Sequence, residues 1–280
     1  MSGKSPPLPP NLMPALPRVA LDRGFVSAPI AHRALHDRAA GRLENSPAAI
    51  SAAIDAGFGI EIDVQLSCDG HAMVFHDYTL ARLTDAKGPL RAQTADYLRQ
   101  IRLSGMQETI PTLADVLTLV RGRVPLLIEI KDQSGDLGPA PSSLEAAVAT
   151  DLAGYSGAVA VMSFNPHVVA AFGALCPQIA RGIVTCPYPT AEWPHILPAR
   201  CEELRQIADY DQLGASFISH QANDLGNARV GALKARGAVI NCWTIKSAAK
   251  ETQARQIADT ITFEGYLPTP PANTPRGHDV

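Results

Sequence analysis

The chain of 280 residues is 46% hydrophobic and 18% charged, with 24 Lys and Arg against 27 Asp and Glu and a formal net charge of −3. This mild negative balance argues against nucleic acid as a partner, and the composition excludes collagen-like, disordered and disulfide-scaffold classes. Of 23 prolines, six fall in the first 17 residues and four in the last 13, so one folded domain is expected at 18–267, between a proline-rich N-terminal tail, 1–17, and a C-terminal tail, 268–280.

The opening MSGKSPPLPPNLMP has no apolar run of signal-peptide length, so export by that route is not expected. The longest uncharged stretch, 152–180, is long enough to cross a bilayer, but Gly154, Gly157, Asn165, Pro166 and His167 divide it into strand, turn and helix. No integral membrane association follows. Five cysteines, an odd number with no CxxC pair, fit reduced thiols in a cytoplasmic protein.

In chain order, the apolar run 29–32 reads as a first strand. Ser46 and Pro47 mark a helix N-cap and first position, and Gly57 marks the end of that helix. A second strand, 60–66, runs into Asp69-Gly70, a two-residue turn signal, and then a returning run at 72–75. In that hairpin Cys68 faces His71, which sets His76 opposite Asp63. Thr112 and Asp115 open a helix with Leu113, Val116, Leu117 and Val120 on one face, ended by Gly122. A strand at 125–130 follows, then a capping-box spacing at Ser142 and Glu145, a strand at 158–163 and a helix opened by Asn165-Pro166. Further strands lie at 179–184, 215–219, 238–243 and 260–263, with 198–210 unassigned between the first two. A helix around Val230 and Leu233 ends at Gly237, and Ser247 precedes the last helix. Eight strands alternating with helices in one domain have the size and rhythm of an α/β protein of the (β/α)8 TIM-barrel type, with a short β-hairpin excursion after strand two. An open doubly wound sheet has the same local pattern, and the count of eight favours the barrel.

In a barrel, polar residues at the carboxyl ends of apolar strands are the ones to explain. Glu61 and Asp63, two apart in GIEIDVQL, project from one face of their strand, and Glu129 and Lys131 repeat the spacing in LLIEIK. Three carboxylates converging on one mouth repel one another unless a cation sits among them. Oxygen-only ligation selects a hard divalent ion, Mg²⁺ or Ca²⁺. His32 and His76 flank this group as candidate acid and base. Arg33 and Lys131 are cations suited to a phosphate-like anion. Together these features specify phosphoryl chemistry. Trp243 and His220, at strand ends, are candidates for the substrate pocket. Glu44 and Asn45 either touch the site or shape the turn into the first helix.

The stretch from AHRALHDRAAGRLENS through GIEIDVQLSCDG to VFHDYTLARLT resembles the glycerophosphodiester phosphodiesterase family, whose pattern is HR, ENT, E-x-D, DG, HD and R-x-T. IPTLADVL, LIEIK, SFNP and CWT match further blocks in order, so the resemblance covers roughly 29–267 and is closest to the compact cytosolic bacterial members. It implies a (β/α)8 barrel of the phospholipase-C-like phosphodiesterase type that hydrolyses small-molecule glycerophosphodiesters to glycerol 3-phosphate and an alcohol with one divalent cation. Matched motif by motif, it implies Glu61, Asp63 and Glu129 as metal ligands, His32 and His76 as the acid–base pair, and Arg33 and Lys131 on the phosphate. The chain departs from the pattern at Ala34 for a usual glycine, Ser46 for threonine, Lys246 for asparagine, and Phe263-Glu264 for a usual TD. Lys246 and Glu264 add charge near the mouth and bear on leaving-group preference.

Two rival functions use the same residues differently. A lysophospholipase D or sphingomyelinase-D-like enzyme keeps the site and acts at a lipid surface, yet the sequence has no basic amphipathic segment for docking. A barrel that binds metal or phosphodiesters without turnover is expected to have lost a reactive group, and here all are present. The metal-site reading predicts that Glu61, Asp63 and Glu129 meet at one point; a structure with the three pointing apart contradicts it.

Overall fold

The computed structural model describes residues 15–140 and 142–268. Eight parallel strands close on themselves: β1 (Ile30–Ala31), β2 (Gly59–Leu66), β4 (Leu126–Ile130), β5 (Val159–Ser163), β6 (Ala180–Thr185), β7 (Phe217–Gln221), β8 (Val239–Ile245) and β9 (Thr260–Phe263), with β9 pairing back to β1. The expected (β/α)8 barrel is the fold. β3 (Ala72–Val74) is the antiparallel return strand beside β2.

Helix ends follow the punctuation in the sequence. Ser46 accepts a hydrogen bond from the Ala49 amide and Gly57 closes α2 (Pro47–Ala56) at φ 74°. Thr112 and Asp115 form a full capping box on α4 (Leu113–Val120), and Asn165 caps α6 (Pro166–Leu175). At α5 (Leu144–Asp151) the Ser142 hydroxyl bonds the Glu145 carboxylate instead of forming the reciprocal box. Segment 198–210 resolves into a helix, Pro198–Arg205, and a 3₁₀ turn, Ala208–Tyr210.

Alternation along the strands separates two cores. Ile60, Ile62 and Val64 of β2 join the layer between barrel and helices, while Leu127, Ala160, Met162, Val184 and Phe217 fill the interior over Phe25. The barrel floor is therefore apolar, and the acids of β2 and β4 lie above it toward the carboxyl ends.

The hairpin register differs from expectation by one residue. Val64 pairs with Val74 and Leu66 with Ala72, so the loop is three residues long, with Ser67 facing His71. Its side chains account for this. The Ser67 hydroxyl donates to Asp69 Oδ1 at 2.6 Å and accepts from the His71 amide at 2.9 Å. Gly70 alone takes a positive φ, 89°, whereas a two-residue turn of the I′ type needs Asp69 there as well. Phe75 consequently stands opposite Asp63, donating its amide to the Asp63 carbonyl. The excursion also extends well past the hairpin: Phe75, Leu80, Leu83, Leu90, Leu98, Leu103 and Ile110 form a separate apolar cluster before α4.

Beneath the barrel, residues of the expected N-terminal tail are bound to it. The Leu16 amide donates to the Gln212 carbonyl, and Gly214, at φ 56°, lies so close to the Leu16 and Pro17 carbonyls that a Cβ has no room. Arg181, fully buried, donates to the carbonyls of Leu213, Ile179 and Pro17. Burial lowers its pKa from the ordinary value. Replacing Arg181 with Met strands those acceptors, and we expect a loss of about 3 kcal/mol in urea unfolding; a loss below about 0.5 kcal/mol contradicts the role assigned to this residue.

Candidate active site

The carboxyl ends of the strands enclose a cavity of about 320 Å³ whose walls include His32, Arg33, Glu61, Asp63, His76, Glu129, Lys131 and Trp243. Inward-facing positions 61 and 63 of β2 and 129 of β4 bring three carboxylates together: Asp63 pairs in register with Glu129, and one ligand oxygen from each residue lies within 4.8 Å of the others. All three are buried, at 1%, 1% and 8% exposure.

Such a group of charges needs compensation. Lys131 Nζ lies 2.7 Å from Asp63 Oδ1 and 2.6 Å from Glu129 Oε1. Burial works against its charge, but Asp63 and Glu129 together raise its pKa. Burial also pushes the Asp63 carboxyl up, and the charges of Lys131, His76 and Arg33 outweigh it and hold Asp63 well below the usual carboxylate range. At Glu61 the compensation from Lys131 and the Arg33 amide falls short. Burial first, then the nearby Asp63 and Glu129 charges, raise it well above the usual range, against the hydrogen bond from the Arg33 amide at 2.8 Å. Lys131, and Arg33 shared with Glu44, therefore do not cancel three carboxylates, and a hard divalent cation bound by oxygen atoms alone fits the remainder.

Both histidines line the cavity, each tied through Nδ1 to a carboxylate. His32 Nδ1 is 2.6 Å from Glu264 Oε2, and His76 Nδ1 is 2.7 Å from Asp77 Oδ1. Burial lowers the His32 pKa, more than the Glu264 hydrogen bond raises it. The two-residue hairpin register is not what places His76 at the cavity: with Phe75 opposite Asp63, Phe75 turns into the excursion core and the next residue faces the site.

Arg33 follows β1 in a left-handed turn, with φ 51° at Arg33 and 66° at Ala34. Its Nη1 donates to Glu44 at 3.0 Å. Its Nε is buried without a hydrogen-bond partner among the described residues, 3.5 Å from Asp63 Oδ2. Trp243 forms part of the wall, anchored by its indole N–H to the Ser219 carbonyl at 2.9 Å and edge-on to Phe164.

Two expected pocket residues lie elsewhere. Ser219 of β7 faces the cavity, so the next residue, His220, turns away, where its ring contacts Thr185 Oγ1 at 2.7 Å and Asp224 Oδ2 at 3.1 Å. Glu44 is behind the wall, clamped between Arg33 and Arg82, with contacts of 2.8 and 2.6 Å to the Arg82 guanidinium.

Residues 32–262 match the model of the glycerophosphoryl diester phosphodiesterase family. The chain belongs to this family. Bacillus subtilis YhdW is 28% identical over 245 residues, 83% of this chain and 93% of that protein. A glycerophosphodiester phosphodiesterase of Caldanaerobacter subterraneus is 37% identical over 101 residues, 33% of this chain and 40% of its own. Among solved structures, an Oleispira antarctica phosphodiesterase in complex with the product sn-glycerol-3-phosphate superposes with a TM-score of 0.67 at 26% identity, covering 89% of this chain and 93% of that one. The chain is thus an enzyme of the glycerophosphodiester phosphodiesterase family.

Against the family pattern, Ala34 occupies a left-handed conformation that glycine takes more readily, which accounts for the usual glycine there. Asn45 does both of the things its sequence position left open, and Asp77 makes a contact that was not foreseen. Asn45, buried at φ 59°, donates from Nδ2 to Asp63 Oδ2 at 3.0 Å, so the turn residue also orients an acid. Asp77 is held by Arg82, whose Nε lies 2.6 Å from Asp77 Oδ2. HD and R-x-T, five residues apart, were the signal available for that contact.

The surplus charge sets a sign for substitution. In chelator, Glu61→Gln relieves repulsion while keeping an acceptor for the Arg33 amide, and thermal unfolding is expected to show a gain of about 1 kcal/mol over wild type, with the stabilising effect of added Mg²⁺ or Ca²⁺ lost. A chelated variant less stable than chelated wild type contradicts the charge surplus.

Proposed function

We propose that this enzyme hydrolyses glycerophosphodiesters to sn-glycerol 3-phosphate and an alcohol, with a divalent cation held by Glu61, Asp63 and Glu129 and with His32 and His76 exchanging protons with substrate. The observation that carries the reading is the convergence, on one cavity, of three buried acids, two cations and two carboxylate-tethered histidines. The product seen in the Oleispira neighbour supports the same substrate class.

A divalent cation, Mg²⁺ or Ca²⁺, would supply Lewis-acid polarisation of a phosphate oxygen. The protein's own groups do the rest. Arg33 meets the phosphate with its guanidinium, whose Nε makes no hydrogen bond and only a 3.5 Å ion pair to Asp63, and Lys131, bound to Asp63 and Glu129, has one further N–H to offer the same anion. One histidine accepts the proton of the attacking hydroxyl as its oxygen bonds to phosphorus; the other donates a proton to the departing alcohol oxygen as its bond to phosphorus breaks. The attacking hydroxyl is either water, giving the products directly, or a neighbouring glycerol hydroxyl, giving a cyclic phosphate that water then opens.

Five free cysteines, four of them buried, suit the reducing cytoplasm we assign to the enzyme. No helix among the described residues is long and apolar enough to cross a membrane.

A panel of glycerophosphocholine, glycerophosphoethanolamine, glycerophosphoinositol and lysophosphatidylcholine, assayed with Mg²⁺, Ca²⁺ or chelator, tests the proposal. Glycerol 3-phosphate release from the first three is expected, lost in chelator and reduced about 10²- to 10⁴-fold by His32→Ala. Preferred turnover of lysophosphatidylcholine supports a lysophospholipase D instead, and turnover indifferent to both chelator and the His32 change removes the mechanism. A cyclic phosphate trapped early in the reaction separates the two nucleophiles.

A further inference from the structure

The acids of the metal cluster and the two histidines leave a partly buried charge at the mouth, Glu264, unexplained. Glu264 follows β9, and its amide donates to the Ile245 carbonyl at 3.0 Å, so the residue is fixed to the neighbouring strand. Its two carboxylate oxygens face different partners. Oε1 is 2.6 Å from Lys246 Nζ. Oε2 is 2.6 Å from His32 Nδ1 and 3.7 Å from His36 Nε2. The His36 atom is buried and has no hydrogen-bond partner among the described residues. The Lys246 side chain is 68% exposed and Glu264 20% exposed, so the pair runs from solvent to the wall of the cavity.

His76 repeats the arrangement. His76 Nδ1 meets Asp77 Oδ1, and the far oxygen of that carboxylate takes Arg82 Nε at 2.6 Å. Each histidine therefore has a carboxylate on Nδ1, and each carboxylate has a basic side chain on its second oxygen. A carboxylate that accepts from Nδ1–H fixes the imidazole as the tautomer with a free Nε2, on the far side of the ring. Only that nitrogen is then left to exchange a proton with substrate. Without the anchor, the ring is free to turn and to hold its proton on either nitrogen.

We propose that Glu264, steadied by Lys246, is a positioning residue for His32: it holds the ring in the Nδ1–H tautomer and aims Nε2 into the cavity. The inference rests on the reading of His32 as an acid–base group. It gives Lys246 and Glu264, where the chain leaves the family pattern, one joint task, and makes them a matched counterpart to Arg82 and Asp77. Glutamate suits the task better than glutamine because both of its oxygens accept, one for Lys246 and one for the histidine; a glutamine has one accepting oxygen and an amide that donates to an unprotonated Nδ1, favouring the wrong tautomer.

The test uses full-length enzyme loaded with whichever of Mg²⁺ or Ca²⁺ supports turnover of glycerophosphocholine, comparing wild type, Glu264→Gln, Glu264→Asp, Lys246→Met and His32→Ala. We expect Glu264→Gln to lower kcat at least about 30-fold with KM changed less than about three-fold, as for loss of acid–base positioning. Glu264→Asp restores at least about five-fold of that loss, and Lys246→Met lowers kcat by about three- to ten-fold. Ring ¹⁵N spectra of histidine-labelled protein place the His32 proton on Nδ1 in wild type and on Nε2, or on both, in Glu264→Gln. The spectra, Asp rescue and Lys246→Met decide the matter even where Glu264→Gln folds poorly. An inactive His32→Ala beside a Glu264→Gln enzyme within about three-fold of wild-type kcat overturns the proposal, as does an Nε2–H His32 in wild type. A fully active His32→Ala instead overturns the acid–base reading beneath it.

Discussion

Three carboxylates, Glu61, Asp63 and Glu129, sit with ligand oxygens within 4.8 Å of one another and almost no exposure to water, and the rest of the mouth is arranged around them. Charges so close and so poorly solvated are tolerable only when other charges answer them. Lys131 bridges two of the three, Arg33 approaches Asp63 through its side chain and Glu61 through its amide, and Asn45 donates to Asp63. These groups leave Glu61 as the acid that a cation would most relieve. The same demand orders the chain nearby: the left-handed turn at Arg33 and Ala34 aims an amide at Glu61, and Asn45 takes another left-handed φ to reach Asp63.

The barrel makes this concentration of charge affordable by keeping it at one end. Inward positions below the acids carry Leu127, Ala160, Met162 and Phe217, and the floor is closed by Phe25 and by the segment that Arg181 ties down. The histidines occupy the border between the acids and outer ion pairs, Glu264 and Lys246 beyond His32 and Asp77 and Arg82 beyond His76.

Much of this was legible in the sequence because local rules govern it. Ser46-Pro47, the Thr112 and Asp115 pair and Asn165-Pro166 each fix a helix start through contacts within a few residues. Glu61 and Asp63 had to share a face of their strand because side chains alternate, and the in-register pairing of Asp63 with Glu129 then unites the three acids. What was not legible depended on side chains competing for the backbone, or on partners distant in sequence. The hairpin gained a third loop residue because Ser67 and Asp69 bond each other, and Asp69 also accepts from Ala95, 26 positions on. His220 looked available at a strand end, but alternation relative to Ser219 sends it toward Thr185 and Asp224. Glu264 lies 232 positions from His32, and no spacing rule connects them.

The central claim is that one hard divalent cation belongs among Glu61, Asp63 and Glu129, balancing charge that Lys131 and Arg33 leave over. Crystals grown without chelator and soaked in Mn²⁺, a manganese ion serving as the anomalous scatterer for this oxygen-ligand site, test it most directly. A single strong anomalous peak between the three carboxylates is the predicted result. A map with no peak there, or with its strongest peak away from these residues, would contradict it.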